Sequence, residues 1–252
     1  MTSRRTFEPD GRAIPYLDEG AGPALVLLPG MGLDPTYLGT LASVLVEEDF
    51  RVVQVGSRRP SGDPVSLSDL ARDVVDVMDH VGLEDAWIGG HAFGGEVART
   101  VAAEHPDHTN GVLLLGVAGG GGATPEAADA WSAILTGATG INGEAAVREL
   151  AGPNADVQRA GNFLERSRDA EVVAHQRAAA DGVVEGSLAP HVPVLVIQGA
   201  EDRFTPPSAG EQLRASAPHL VTVVTLDGMG HLFPLTHPGE TAAVIEDYLD
   251  WD

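Results

Sequence analysis

The sequence predicts an α/β fold in which helices cover both faces of a mainly parallel, twisted, eight-stranded sheet. Three observations support this prediction. Short runs such as residues 24–28 are apolar on both faces, which is typical of buried parallel strands. Segments with helical spacing of apolar residues alternate with these runs. Glycine-rich loops follow several of the runs, at the positions where open α/β sheets bind ligands.

The chain begins with a predicted β-hairpin over residues 1–22, in which Asp10 and Gly11 form the turn. The other predicted strands lie at residues 24–28, 51–55, 86–90, 111–117, 192–199 and 220–226. Helices are predicted at residues 35–47, 66–81, 208–216 and 238–248, with a further helix that ends near residue 104. The helix at 66–81 has apolar residues at helical spacing, and Ser66 is its predicted cap.

Residues 124–189 have a different character, with no strand pattern and many Ala, Glu, Asp and Arg residues. Short helices are predicted at residues 125–135, 143–150, 156–166 and 169–180. The four glycines at 119–122 precede this block and are expected to form a flexible joint. We therefore predict a core domain from residues 1–123 and 190–252, with a helical cap at 124–189.

Composition limits the partners of the chain. Asp and Glu number 37 against 15 Lys and Arg, a net charge of −22 that repels nucleic acids and anionic membranes. The absence of cysteine excludes disulfides and thiolate sites. No apolar run is long enough to span a bilayer, and no apolar segment typical of a secretory signal follows the basic start. We expect a cytoplasmic protein without a membrane partner.

The stretch from Gly90 to Gly94 follows a strand and precedes a helix. Its letters, Gly-His-Ala-Phe-Gly, match the nucleophile elbow G-x-S-x-G except that Ala92 stands at the nucleophile position. The glycines are expected because the sharp turn leaves no room for a Cβ atom. A methyl group cannot attack a carbonyl, so the sequence predicts the surroundings of a nucleophile without the nucleophile itself.

Two further residues complete the pattern. Asp202 follows one buried strand and His231 follows the last one, so that position 92, Asp202 and His231 have the chain order of a nucleophile, acid and base triad. Together with the loop at residues 29–32, these motifs make the chain resemble the α/β-hydrolase family, of a compact, cap-bearing esterase or lactonase-like type. The resemblance extends over essentially the whole chain.

The resemblance implies roles for several residues. His231 would move the proton, Asp202 would orient its ring, and the backbone amides of Met31 and Phe93 would form the oxyanion hole. Gly30, His91 and Trp131 are expected to line the substrate site. The implied substrate is a small, largely apolar ester, lactone or related carbonyl compound, with no cofactor and no metal ion. A homodimer is left open.

Ala92 leaves three interpretations open. The sequence could be an inactive Ser→Ala form of a serine hydrolase. It could instead be a naturally serine-less enzyme that uses His231 and Asp202 for non-covalent acid/base chemistry, such as activation of water, elimination, decarboxylation or cyclisation. It could also be a non-catalytic, ligand-binding relative. The loop at 56–60 also departs from the family pattern, and its Arg58 and Arg59 are either solvated or contact a substrate carboxylate.

Overall fold

The computed structural model describes residues 4–62, 64–117, 122–180 and 188–249, and these residues form one sheet of eight strands. The strands are β1 (Arg5–Phe7), β2 (Ile14–Gly20), β3 (Ala24–Leu28), β4 (Arg51–Val55), β5 (Ala86–His91), β6 (Thr109–Leu115), β7 (Val194–Gly199) and β8 (Val221–Leu226). Their order across the sheet is β1-β2-β4-β3-β5-β6-β7-β8. β2 pairs antiparallel with both of its neighbours, β1 and β4. From β4 through β3, β5, β6 and β7 to β8, each strand runs parallel to the next.

Helices cover both faces of this sheet. They are α1 (Gly39–Glu47), α2 (Leu67–His80), α3 (Phe93–Glu104), α4 (Pro125–Thr136), α5 (Gly140–Ala151), α6 (Val157–Ser167), α7 (Val173–Ala180), α8 (Pro207–Ser216), α9 (Phe233–Thr236) and α10 (Pro238–Leu249). Alternate residues of β3 show the two faces. Val26 packs in a core cluster with α2, α3 and α8, whereas Leu25 packs in a second cluster with α1, α10 and most of α4–α6.

The predicted fold class is confirmed. The sheet, the opening hairpin and the helices on both faces are all present. Ser66 caps α2 through a capping box, since its hydroxyl accepts from the Asp69 amide while the Asp69 carboxylate accepts from the Ser66 amide. None of the described helices combines the length and apolar character that crossing a bilayer requires.

Some predicted bounds were wrong. The segment at 169–180 is not one helix but a 3-10 turn, Ala170–Val172, followed by α7. β6 begins at Thr109, before the predicted residue 111. The short helix α9 was not predicted at all. Of the expected glycine joint at 119–122, residues 119–121 lie outside the described residues.

Helices α4–α7 lie between β6 and β7 in the chain, and we call residues 125–180 the helical insertion. The carboxyl ends of β3, β5, β6, β7 and β8 all lie at one edge of the sheet because these strands are parallel. The loops that follow β3, β5, β7 and β8 carry the candidate site residues except Trp131, which lies on α4, so the fold brings these loops to a common edge.

Candidate active site

Ala92 occupies a strained turn between β5 and α3. Its backbone has φ 48° and ψ −108°, a region that residues with a Cβ atom rarely adopt. Its amide donates to the Leu115 carbonyl at 3.0 Å, and its carbonyl accepts from the Gly95 amide at 2.9 Å. A Cβ atom at Gly90 would lie 2.1 Å from the Gly94 carbonyl group. The structure therefore has the tight turn of a nucleophile elbow, and Gly90 is required as the sequence predicted.

Asp202 and His231 form a buried pair. His231 Nδ1 lies 2.9 Å from Asp202 Oδ2, and both side chains are completely buried. The second carboxylate oxygen accepts from the amides of Phe204 and Thr205 at 2.8 Å each, while the Thr205 hydroxyl donates to Oδ2 at 2.6 Å. Burial opposes ionisation of Asp202, but the His231 ring and these hydrogen bonds outweigh it and lower the pKa of the carboxyl. Asp202 is thus a carboxylate that orients His231 through Nδ1.

The other nitrogen of His231, Nε2, is buried and has no hydrogen-bond partner among the described residues. Aromatic rings surround this imidazole. The Phe204 ring lies 4.7 Å away between centroids, and the Trp131 ring meets it edge-on at 5.6 Å. Because Asp202 holds Nδ1, a neutral His231 carries its proton there and presents a lone pair at Nε2. The pair is arranged to accept a proton in apolar surroundings.

His91 packs beneath the pair. Its ring centroid is 4.4 Å from that of His231, and its Nε2 lies 3.0 Å from the His231 carbonyl oxygen. A carbonyl can only accept, so Nε2 of His91 is the protonated nitrogen. Burial and, secondarily, the neighbouring His231 hold the pKa of His91 well below its usual value, which keeps the ring neutral. His91 therefore holds the backbone of His231 without carrying charge.

Gly116, just beyond β6, joins the elbow to the pair. It follows Leu115, which accepts the hydrogen bond from Ala92, and it has φ +67°. A Cβ atom there would lie 3.1 Å from the Thr205 hydroxyl and 3.5 Å from His231 Nδ1. A glycine at this position lets the Asp202–His231 pair approach the end of β6, next to the residue that anchors the elbow.

The loop after β3 lies under the helical insertion. Met31 is half-buried in this loop, and the neighbouring Gly32 is buried. The Gly32 amide donates to Gln176 Oε1 at 2.7 Å, and the Gly32 carbonyl accepts from the Asp169 amide at 2.7 Å. Phe93 is the first residue of α3, where backbone N–H groups have no partner within the helix. A Cβ atom at Gly30 would lie 3.2 Å from His91 Nδ1.

Comparison with known proteins agrees with this architecture. The sequence model of the alpha/beta hydrolase family matches residues 15–244. The chain belongs to the alpha/beta hydrolase family. The putative carbamate hydrolase RutD of Caulobacter sp. strain K31 is 27% identical over 264 residues, which cover 93% of this chain and 95% of that protein. A thermophilic esterase from Thermogutta terrifontis has the same fold, with a TM-score of 0.79 and 21% identity over 98% of each chain.

A shorter match concerns haloalkane dehalogenase 2 of Mycobacterium tuberculosis, which is 32% identical over 118 residues. The match covers 44% of this chain and 40% of that dehalogenase. The relatives thus include a dehalogenase, a putative carbamate hydrolase and an esterase. Membership of this family supports a hydrolase, while the named activities of the relatives differ from one another.

The structure brings most of the sequence-predicted site residues of this alpha/beta hydrolase together. His91, Trp131 and Asp202 each contact or face His231, Ala92 follows His91 directly, and Gly30 lies against His91. Arg58 and Arg59 both form ion pairs within the chain. Arg58 pairs with the buried Asp73, and Arg59 pairs with Asp169 and Glu171.

Sequence reasoning missed Thr205, Gln176 and Gly116. The contact of Thr205 was open to prediction, because an aspartate in a loop commonly accepts hydrogen bonds from residues two and three positions later. Gly116 lies near the end of the strand predicted at 111–117, and a glycine there signals a close approach of another group. Gln176 lies on a short helix of mixed composition, and no pattern in the sequence indicates that its amide is buried.

Proposed function

We propose that the protein binds a small, largely apolar ester, lactone or related carbonyl compound, and that His231 acts on it as a general base without a covalent intermediate. The observation that carries the proposal is the buried Asp202–His231 pair, whose Nε2 atom has no hydrogen-bond partner among the described residues. An intact, oriented base, together with an alanine at the elbow, supports proton transfer rather than nucleophilic attack by the protein.

The chemistry balances with water as the nucleophile. The water oxygen forms a bond to the substrate carbonyl carbon while its proton passes to Nε2 of His231, and the negative charge moves to the carbonyl oxygen. The amides of Met31 and Phe93 would hold that oxygen. When the carbon–oxygen bond to the leaving group breaks, the proton on Nε2 passes to the departing alkoxide. Asp202 stabilises the imidazolium between these two steps, and its lowered pKa keeps it ionised for this role.

An apolar substrate is favoured by the surroundings of the base. The rings of Trp131 and Phe204 lie against His231 and against each other, with centroids 5.7 Å apart. Such rings stabilise apolar groups and offer few hydrogen bonds. The net charge of −22 opposes the approach of anionic compounds. These features favour a neutral ester or lactone over a charged substrate.

A second candidate has its own supporting observation. Ala92 keeps the strained conformation of an elbow, which costs on the order of 1–3 kcal/mol and is usual at catalytic positions. A serine hydrolase in which alanine has replaced the nucleophile would retain that strain. In this case a serine at position 92 would attack the carbonyl, and His231 and Asp202 would serve it.

The two candidates are separated by one set of variants. Wild type, His231→Gln and Ala92→Ser are assayed on short aryl esters and on small lactones, with the exposed His219→Gln as a control for general effects of histidine loss. Turnover by wild type that disappears in His231→Gln supports the non-covalent enzyme. Activity and fluorophosphonate labelling that appear only in Ala92→Ser support the serine hydrolase. If wild type and Ala92→Ser both stay at the level of His231→Gln on every compound, both candidates are wrong.

A further inference from the structure

Gln176 on α7 is a buried amide that bridges three parts of the chain. Only 1% of its surface is exposed. Its Oε1 accepts from the Gly32 amide at 2.7 Å, and its Nε2 donates to the Ser57 hydroxyl oxygen at 2.7 Å. One side chain of the helical insertion therefore links the loop after β3, which carries Met31, to the loop after β4. Both ends of the amide are satisfied, which fixes its orientation.

The insertion also holds the loop after β3 through backbone contacts. The Asp169 amide donates to the Gly32 carbonyl, and the Asp34 amide donates to the Ser167 carbonyl, each at 2.7 Å. Gly32 itself has φ +72°, and a Cβ atom there would lie 2.4 Å from the Leu135 side chain. The N–H and C=O groups of Gly32 are thus both bound to the insertion, in a conformation that favours glycine.

We propose that Gln176 is a positioning residue: it fixes the peptide between Met31 and Gly32, and through the Met31 backbone it sets the direction of the preceding peptide, whose N–H is the Met31 amide that would hold the oxyanion. This inference rests on the proposed function in one respect, the role of the Met31 amide. A glycine offers little resistance to rotation of its peptide, so the orientation of this loop depends on what its amide binds. Gln176 provides that partner in a place closed to water, where an unpaired N–H is costly.

The loop at residues 56–60, which departs from the family pattern, supports the Gln176 side chain. Ser57 accepts the second hydrogen bond of the amide. Its neighbours hold the loop in place, because Arg58 binds the buried Asp73 and Arg59 binds Asp169 with two contacts of 2.7 and 2.9 Å. This loop, which differs from the family pattern, thus gives Ser57 a fixed position from which it accepts the hydrogen bond of Gln176.

Hydrogen exchange at the Gly32 amide tests the proposal without any assay of activity. Gln176→Leu removes both hydrogen bonds and keeps most of the volume, whereas Gln176→Glu keeps the acceptor for Gly32, and the Ser57 hydroxyl can donate to the carboxylate. We expect exchange at Gly32 to be at least about tenfold faster in Gln176→Leu and near the wild-type rate in Gln176→Glu. The control is Gln158→Leu, an exposed glutamine of the same insertion, which should leave the rate unchanged.

Ser57→Ala keeps the test decisive if Gln176→Leu does not fold. Ser57→Ala removes the hydroxyl that binds Gln176 Nε2 and leaves the contact between Gln176 and Gly32. We therefore expect a smaller increase in the exchange rate at the Gly32 amide. Unchanged exchange at Gly32 in folded Gln176→Leu, or in Ser57→Ala if the leucine variant does not fold, would overturn the proposal. Global unfolding curves, measured in parallel, separate local opening from a general loss of stability.

A kinetic measurement tests the role in catalysis. It uses wild type or Ala92→Ser, whichever shows turnover. Introducing Gln176→Leu into that protein should lower kcat by roughly 10- to 100-fold with little change in KM, because an oxyanion contact acts in the transition state. Introducing Gln176→Glu instead should leave kcat near its original value. An unchanged kcat would contradict the role of Gln176. If no variant turns over any substrate, the proposed function fails, and the exchange experiment still decides whether Gln176 fixes the loop.

Discussion

The burial of His91 makes the stability of the protein depend on pH in a way that can be calculated. His91 is completely buried, and burial, followed by the effect of His231, holds its pKa well below the usual 6.5. In the unfolded chain the same imidazole takes up a proton below about pH 6.5. The unfolded state then binds one proton more than the folded state, so stability falls as the pH decreases from 6.5 towards the folded pKa. One proton corresponds to about 1.4 kcal/mol per pH unit, which amounts to about 2 kcal/mol between pH 7.5 and 5.0.

The perturbation is His91→Gln, which removes the titrating ring and keeps a nitrogen donor for the His231 carbonyl. Urea unfolding of both proteins between pH 5.0 and 7.5 gives the free energy of unfolding at each pH. On acidification from pH 7.5 to 5.0, we expect the free energy of unfolding of the wild type to fall by about 2 kcal/mol more than that of the variant. The difference in stability between the two proteins therefore narrows. Burial also lowers the pKa of His175, but that residue is common to both proteins and cancels in the difference.

The control for this experiment is His219→Gln, which removes an exposed imidazole and should leave the wild-type slope unchanged. Parallel stability curves for wild type and His91→Gln would refute the reasoning, because they would mean that His91 is protonated equally in the folded and unfolded chains. The reasoning would also be refuted if the stability difference between wild type and His219→Gln narrowed by the same amount, since the effect would then not depend on burial beneath His231.

Three further predictions follow from single contacts. Gly90→Ala should lower the free energy of unfolding by more than about 3 kcal/mol in urea titrations, because its Cβ meets backbone at 2.1 Å, whereas Gly239→Ala meets nothing within 4 Å and should be neutral or slightly stabilising. Asp202→Asn should reduce any His231-dependent turnover by roughly 10⁴-fold in kcat, since the amide no longer favours the right tautomer of the base. Arg58→Leu should cost about 3 kcal/mol at pH 7 in the same titrations, because it removes a partner of the buried Asp73 carboxylate.

The fold was predictable because its signals are repeated along the chain. The apolar run at residues 24–28 is typical of a strand buried on both faces, and β3 has that environment. The elbow was predictable because its turn leaves no space for a Cβ atom at positions 90 and 94, and the sequence has glycine at both. Short elements lack such repetition. Helix α9 has four residues, too few for a helical period to appear.

The ion pair of Arg58 could have been predicted from the position of Asp73 alone. Asp73 falls within the apolar stripe of α2, next to Val74 and near Leu70, and only 2% of it is exposed. A carboxylate in such a position requires a cation, and Arg58 and Arg12 supply it. The contact of Gln176 with Gly32 was not predictable, because 144 residues separate the two and neither occurs in a pattern that requires the other.

The helical insertion and the residue just before it hold the loops after β3, β7 and β8, mainly through backbone hydrogen bonds. The amides of Gly230 and Leu232, on either side of His231, donate to carbonyls at the end of α5 at 3.2 and 3.1 Å. Thr124, just before the insertion, donates through its amide to the Arg203 carbonyl, next to Asp202, at 2.9 Å. Backbone hydrogen bonds do not depend on side-chain identity, so the sequence of the insertion can vary while the loops keep their positions. Under the proposed function, the geometry of the site and the choice of substrate would therefore be separable: backbone contacts and Gln176 would fix the former, and rings such as Trp131 would be free to set the latter.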